Sequence, residues 1–179
     1  VSTTATLSQS DKKILGSTLP KYFGGFTSKM SYKDFDLTFL VRFSGGNKLF
    51  NSTRRELLTQ NLNNNSTEIL GRWQSAANPG DGWTPRLWAS ANTTVNNTSN
   101  ASTRFVENGD FISLDNITLG YTFDKVVNEK VSLRLSTGIQ NVFVITKYSG
   151  LDPEITNNGV DKTIYPRQRS ILFGLNLKF

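Results

Sequence analysis

The side chains of this chain that could do chemistry are suited to recognition rather than catalysis. Among 179 residues there is no His and no Cys. That removes the commonest general base and metal ligand, and all thiolate and disulfide chemistry. No carboxylates are paired at an informative spacing, so no enzyme, catalytic residue, metal or cofactor is expected. Recognition groups remain. Trp73, Trp83 and Trp88 stand in one polar segment with Arg72 and Arg86 beside them. Aromatic faces next to guanidinium groups suit stacking on a sugar or peptide, or docking on a partner protein. Packing the segment on itself is the plainer role, above all for Trp73, which falls on the apolar side of a helical pattern. Arg167 and Arg169 present planar guanidinium groups that fit lipid phosphates, or serve as solvated rim charge. Lys29, Asp36, Arg42 and Arg134 lie within extended segments, placed to bond one another across a wall. Asp152, Glu154 and Asp161 carry oxygen donors of the kind calcium takes, but nothing fixes the spacing such a site needs.

The elements that must position these groups are strands. From Ser170 to the end, Ile171, Phe173, Leu175, Leu177 and Phe179 alternate with Ser170, Leu172, Gly174, Asn176 and Lys178. A period of two means a strand with two unlike faces. The same period runs through residues 21–44. There Tyr22, Gly24, Phe26, Ser28, Met30 and Tyr32 share a face, and a Lys33-Asp34 turn leads to Phe35, Leu37, Phe39, Val41 and Phe43 on one face of a second strand. Residues 109–145 read as a second hairpin. Its apolar register switches between Leu114 and Ile117, which implies a bulge or a strand leaving the apolar zone. Residues 165–179 form the last strand. The connections are unequal: 1–20 is a lead-in loop, 45–108 and 146–164 are long, and Lys33-Asp34 and 124–130 are short. Within 45–108 the spacing predicts helices over roughly 53–62 and over 65–77, the second capped by Asn65 with Glu68 three residues on. An Asn-, Thr- and Ser-rich tract follows at 90–103.

Charge and composition narrow the partners. The net charge of +6 comes from 20 Lys and Arg against 14 Asp and Glu, with no block of like charge, so nucleic acid is not expected. No apolar run is long enough for a spanning helix, but barrel strands alternate and keep mean hydropathy low. The apolar faces carry no charge, the long and short connections alternate, and aromatic residues such as Tyr22, Tyr32, Tyr121, Phe123 and Tyr165 sit near strand ends. These are habits of outer-membrane barrels. Five strands do not close, since membrane barrels start at about eight. The expectation is an all-β, antiparallel transmembrane barrel segment belonging to a larger protein. With the C-terminus on the short-turn, periplasmic side, the long loops face outward. A soluble secreted β-sandwich binding module remains the alternative.

Several stretches resemble, in order and spacing, the C-terminal end of the SusC/RagA family of TonB-dependent outer-membrane transporters of Bacteroidetes. They are Leu15-Gly16 through Pro20 into Tyr22–Gly25, Ser31-Tyr32-Lys33-Asp34-Phe35-Asp36-Leu37, Arg104–Asp110, Leu114–Phe123, Gln140–Glu154, and Tyr165-Pro166-Arg167-Gln168-Arg169 before Phe173-Gly174-Leu175. The resemblance implies a barrel of about 22 strands with an N-terminal plug, of which this chain supplies the last five. It further implies uptake of oligosaccharide or peptide driven through TonB, with a SusD-like surface lipoprotein as partner. A SusC-like barrel serving as scaffold in an outer-membrane complex is the other function compatible with it. On this reading Lys29, Asp36, Arg42 and Arg134 face the lumen, where they bond each other or the plug. Arg167 and Arg169 meet lipopolysaccharide. Phe173, Leu175, Leu177 and Phe179 resemble the signal read by the barrel-assembly machinery.

Overall fold

The computed structural model describes residues 12–59, 64–86, 102–127, 130–155 and 158–179. The chain divides into two compact units, one formed by Leu19–Asn47, Asn108–Pro153 and Tyr165–Phe179, the other by Val1–Thr18, Lys48–Glu107 and Glu154–Ile164.

The first unit is an antiparallel sheet of five strands: β1 (Tyr22–Tyr32), β2 (Phe35–Gly45), β5 (Phe111–Val127), β6 (Val131–Thr146) and β8 (Ser170–Lys178), in that spatial order. β1 and β2 pair through their full length over the Lys33-Asp34 turn, where Lys33 takes φ 53. The pairing register sorts the side chains into rows across the sheet. One face carries Ser28, Phe39, Ile117, Ile139 and Ile171 in a row, then Met30, Leu37, Leu119, Thr137 and Phe173, then Tyr32, Phe35, Tyr121, Leu135 and Leu175. Above these come Phe26, Val41, Leu114 and Phe143, and below them Phe123, Leu133 and Leu177. None of these positions is charged.

The expected register switch is a bulge. Leu40 pairs with Asn116 while Val41 pairs with Leu114, so Asp115 is the extra residue of β5. The irregularity continues into β6, where Asn141 adopts φ 52. Without it, Leu114 and Ile117 would fall on opposite faces; with it, both join the apolar one.

This apolar face is uncovered. Phe173 is 86% exposed, and among the described residues of the unit the buried hydrophobic ones are Phe111 and Tyr148. Phe39, Leu135 and Phe173 do not share an interior between stacked layers, as a β-sandwich would require. From Ile112 to Phe123 the apolar stretch of β5 runs about 36 Å along the strand. At the tilt usual in membrane barrels this projects to about 28 Å, close to the hydrocarbon band such barrels present.

The second unit is small and mixed. β3 (Lys48–Asn51) lies between β4 (Val106–Asn108) and β7 (Val160–Asp161), pairing with β7 in parallel. A short helix, α1 (Ser52–Leu57), follows β3, capped by the Asn51 side chain, which accepts from the Arg54 N–H at 2.8 Å. Leu49, Leu58 and Phe105 form its dry centre.

The helices are shorter than the spacing predicts. The second is a 3₁₀ segment, Thr67–Gly71, capped by Ser66 rather than Asn65. Asn65 instead donates to the carbonyls of Leu57 and Thr59, both at 2.9 Å. Gly71 ends the segment and Arg72 is extended, so Trp73 and Ala77 do not continue a helical face. The last strand begins at Ser170, not near Tyr165: Pro166 offers no N–H to a ladder, and Arg167 is turned to Asp152. Among the described residues no helix is long and apolar enough to cross a membrane, which says nothing about strands.

Candidate functional site

Two arrangements concentrate the polar chemistry. The first covers the face of the five-stranded sheet opposite the apolar rows. Register places Lys29 beside Thr38, Asp36 beside Ser31 and Gly120, Arg42 beside Gly25 and Ser113, and Arg134 beside Thr122 and Asn176. All four charged residues singled out from the sequence therefore share this face.

Asp36 and Arg134 stand on β2 and β6, with β5 between them. The Arg134 guanidinium donates through Nε to Oδ2 at 3.0 Å and through Nη2 to Oδ1 at 2.6 Å, the bidentate geometry that suits Arg and carboxylate. The bridge passes over Gly120, where a Cβ would run into both charged tips. A glycine in the interior of a strand marks such a close approach. Lys29 adds a second cation within the field of Asp36.

Arg42 has a partner that sequence reading missed. Its Nε donates to Asp115, the bulge residue, which also accepts from Ser113 Oγ at 2.7 Å. Bulges re-aim side chains, and here the extra residue turns its carboxylate to the polar face. Asp115 also lies in the field of Arg167. Arg167 in turn donates to Asp152 at 2.6 Å and 3.2 Å, closing the stem of the connection from β6 to β8. Arg169 donates to the Val142 carbonyl at 2.6 Å and stays exposed. The only signal of Asp115 in the sequence is its place at the register switch.

The second arrangement is in the small unit. Arg54 on α1 donates to both carboxylate oxygens of Glu68, at 3.0 Å and 2.6 Å, and reaches Glu107 at 3.4 Å. The Arg54 guanidinium beside Glu68 holds that carboxyl below the ordinary glutamate range. Arg104 approaches Glu68 at 3.7 Å and donates to Thr84 Oγ1 at 3.2 Å. Thr84 is buried. Asp81 accepts from the backbone N–H of Trp83 and of Thr84 and from the Thr84 hydroxyl. The Thr84 backbone N–H is the first cause, and together these donors lower the Asp81 carboxyl to about 2.

Of the aromatic and basic candidates, Trp83 is 81% exposed, Trp73 is at the edge of exposure, and Arg72 is half-buried. Arg86 is exposed, and Trp88 lies outside the described residues. Phe173, Leu175 and Leu177 all point to the apolar face of β8, and Phe179 follows the strand's last residue. Asp152 and Asp161, weighed from the sequence as calcium ligands, each hold another partner. Asp152 serves Arg167 and Asp161 accepts from Thr53 Oγ1. Among the described residues no cluster of three or more acidic groups could hold a metal.

No family model matches the chain. Curated relatives do. The chain is 34% identical to the TonB-dependent receptor P39 of Formosa agariphila over 94% of its own length, and 33% identical to the TonB-dependent receptor SusC of Bacteroides thetaiotaomicron over 97%. It spans 17% of the length of each. Among solved structures, that of the RagAB peptide transporter superposes over 98% of the chain and 19% of the solved chain, at 24% identity and a TM-score of 0.80, which establishes a shared fold. With its uncovered apolar face and antiparallel order, the chain is a β-barrel segment of the SusC/RagA family of TonB-dependent receptors.

Proposed function

We propose that this chain forms part of the barrel wall and the outward loops of an outer-membrane importer. On this reading the importer takes up oligosaccharide or peptide, draws its energy through TonB, and works with a SusD-like surface lipoprotein. One observation carries this reading: an uncharged apolar face about 28 Å tall, uncovered, backed by a polar face with bonded charges. Lipid on one side and a wet lumen on the other account for both. In the described sheet β1 and β8 each have one open edge. Edges are not tolerated in hydrocarbon, so neighbouring strands must continue the wall. The relatives, much longer than this chain, fit that need.

Lys29, Asp36, Arg42 and Arg134 then line the lumen. The two ion pairs stiffen the wall, and Lys29 is available to the plug. The antiparallel order sends the connection between β2 and β5, and that between β6 and β8, out of the same end of the sheet. We assign that end to the cell exterior and the Phe179 end to the periplasm. Phe173, Leu175, Leu177 and Phe179 form the segment offered to the barrel-assembly machinery, which would recognise it by strand pairing. Arg169 and its neighbours meet lipopolysaccharide. The barrel performs no reaction; its work is differential binding and gating.

The test is uptake by the full-length receptor in its own outer membrane. Barrel assembly is read by heat-modifiable migration, and transport with a panel of defined oligosaccharides and peptides. Uptake that disappears on loss of TonB or of the lipoprotein supports import. A fully assembled barrel with no TonB-dependent uptake of any kind would instead establish the scaffold role.

A further inference from the structure

β8 and β6 pair without a break from Lys178 and Ser132 up to Ser170 and Gln140. There the ladder stops, although β6 runs on to Thr146 and keeps its pairing with β5 to that residue. The residues that precede β8, 165–169, run beside β6 without forming a strand. Two causes are local. Asn141 takes φ 52 in the irregularity between β5 and β6, and such a bulge disrupts the ladder around it. Pro166 brings no N–H to a ladder. Side chains take over where the ladder ends. Asn141 Nδ2 donates to the Gln168 carbonyl at 2.7 Å, and Arg169 Nη2 donates to the Val142 carbonyl at 2.6 Å. Each segment thus lends a side chain to the other's backbone. Beyond them the Arg167 guanidinium holds both Asp152 oxygens, at 2.6 Å and 3.2 Å. Tyr165, Pro166, Gln168 and Arg169 are exposed, and Arg167 is half-buried.

We propose that residues 165–169 are a hinged strap, latched by Arg167 on Asp152, which opens about Ser170 while β8 stays in the sheet. The difference in what holds the two segments carries this. β8 is held by a continuous backbone ladder, and its apolar side chains extend rows that cross the whole sheet. The strap is held by bonds from side chains at the surface, each worth little where water competes for it. Segments with few apolar contacts and solvent-exposed bonds lie at the low end of local stability and open as units. The strap meets both conditions, and its one aromatic side chain, Tyr165, is 89% exposed. Ser170 is the hinge because it is the first residue to enter the ladder. Such a strap gives the stem of the connection between β6 and β8 a freedom that the wall itself lacks. It would serve an importer and a scaffold alike, since only residues of this sheet build it.

The experiment measures distances between paired spin labels in the full-length receptor, otherwise free of Cys, in outer-membrane vesicles. A reference label at Thr27→Cys on β1 is paired with Gln168→Cys on the strap or with Leu172→Cys on β8. The expected result is one narrow distance to position 172 and a second, displaced population at position 168. Arg167→Gln removes the latch. Asn141→Gly keeps the left-handed backbone and removes the amide donor. Each raises the displaced population about two- to fivefold, the size of one part-exposed bond. Neither changes the distance to 172, and the barrel stays heat-modifiable in both. A narrow distance to 168 that neither substitution alters would overturn the strap; a neighbouring strand laddered onto 165–169 would produce that result. Broadening at 168 and 172 together would overturn it too, since β8 would then be opening with it. Either outcome leaves the importer reading standing, because TonB-dependent uptake decides that separately.

Discussion

Placing Arg at Ile117 of the full-length receptor should be far more damaging than placing it one residue away. Ile117 occupies an apolar row near the centre of the band, between Phe39 and Ile139. It is about 16–20 Å along the strand from Ile112 at one end of the band and from Phe123 at the other. After tilt it lies close to mid-bilayer, where Arg costs about 2–4 kcal/mol in a membrane barrel. The same substitution at Ile112 or Phe123 falls near an interface and costs about 0–1 kcal/mol. Thr118 belongs to the polar face, so Thr118→Arg carries no lipid penalty. The spread between Ile117→Arg and its neighbours is thus about 3 kcal/mol, or roughly two orders of magnitude in the folded-to-unfolded ratio. Urea titration of folding into phospholipid vesicles, read by heat-modifiable migration, measures it. Equal costs at Ile112, Ile117 and Phe123 would refute the depth argument. A larger cost at Thr118 than at Ile117 would refute the assignment of faces.

Other consequences can be measured separately. Gly120→Val should separate Asp36 from Arg134. Because both side chains are partly exposed, the loss is about 0.5–1 kcal/mol; it should be smaller in an Arg134→Gln background, and strictly additive effects would show that no bridge crosses β5. Arg54→Gln releases Glu68 and Glu107 together. Hydrogen exchange of residues 67–84 should rise about tenfold, consistent with about 1–2 kcal/mol for a part-buried bidentate pair, and unchanged protection would remove Arg54 as the clamp. The Asp81 carboxyl titrates at about 2 in the fold, against an ordinary value of 3.8. Its contribution to holding Trp83 and Thr84 is complete above the ordinary value and is lost as pH falls through about 2. Protection of those two amides, corrected for intrinsic exchange, should persist at pH 5, decline below pH 3, and be absent in Asp81→Ala at every pH; equal protection at pH 2 and pH 5 would contradict this.

The sheet was legible because its two faces meet different media, and that difference is written as a period of two. Phe35 through Phe43 show it with no interruption, and the register switch between Leu114 and Ile117 disclosed the bulge without any view of pairing. Cross-strand partners were not legible. Asp36 and Arg134 are 98 residues apart, and only the pairing order brings them over the same glycine. Asp115 carried no mark beyond its place at the switch, so Arg42 lacked a partner on paper. In the small unit, period misled. Leu57, Leu58 and Leu62, and then Ile69, Leu70, Trp73 and Ala77, fit a helical spacing, yet α1 ends at Leu57 and the second element stops at Gly71. Local polar bonds decided there: Ser66 capped in place of Asn65, and the Trp73 N–H went to the Thr84 carbonyl rather than to a helical partner.

What remains to be measured is which medium meets which face of these five strands. Spin labels on single cysteines at 116 through 121, in a receptor otherwise free of Cys, report collision with oxygen from the bilayer and with a water-soluble nickel chelate. Oxygen should dominate at Ile117, Leu119 and Tyr121, and the chelate at Asn116, Thr118 and Gly120. Loss of that alternation, or its inversion, would contradict the membrane assignment and the importer that depends on it.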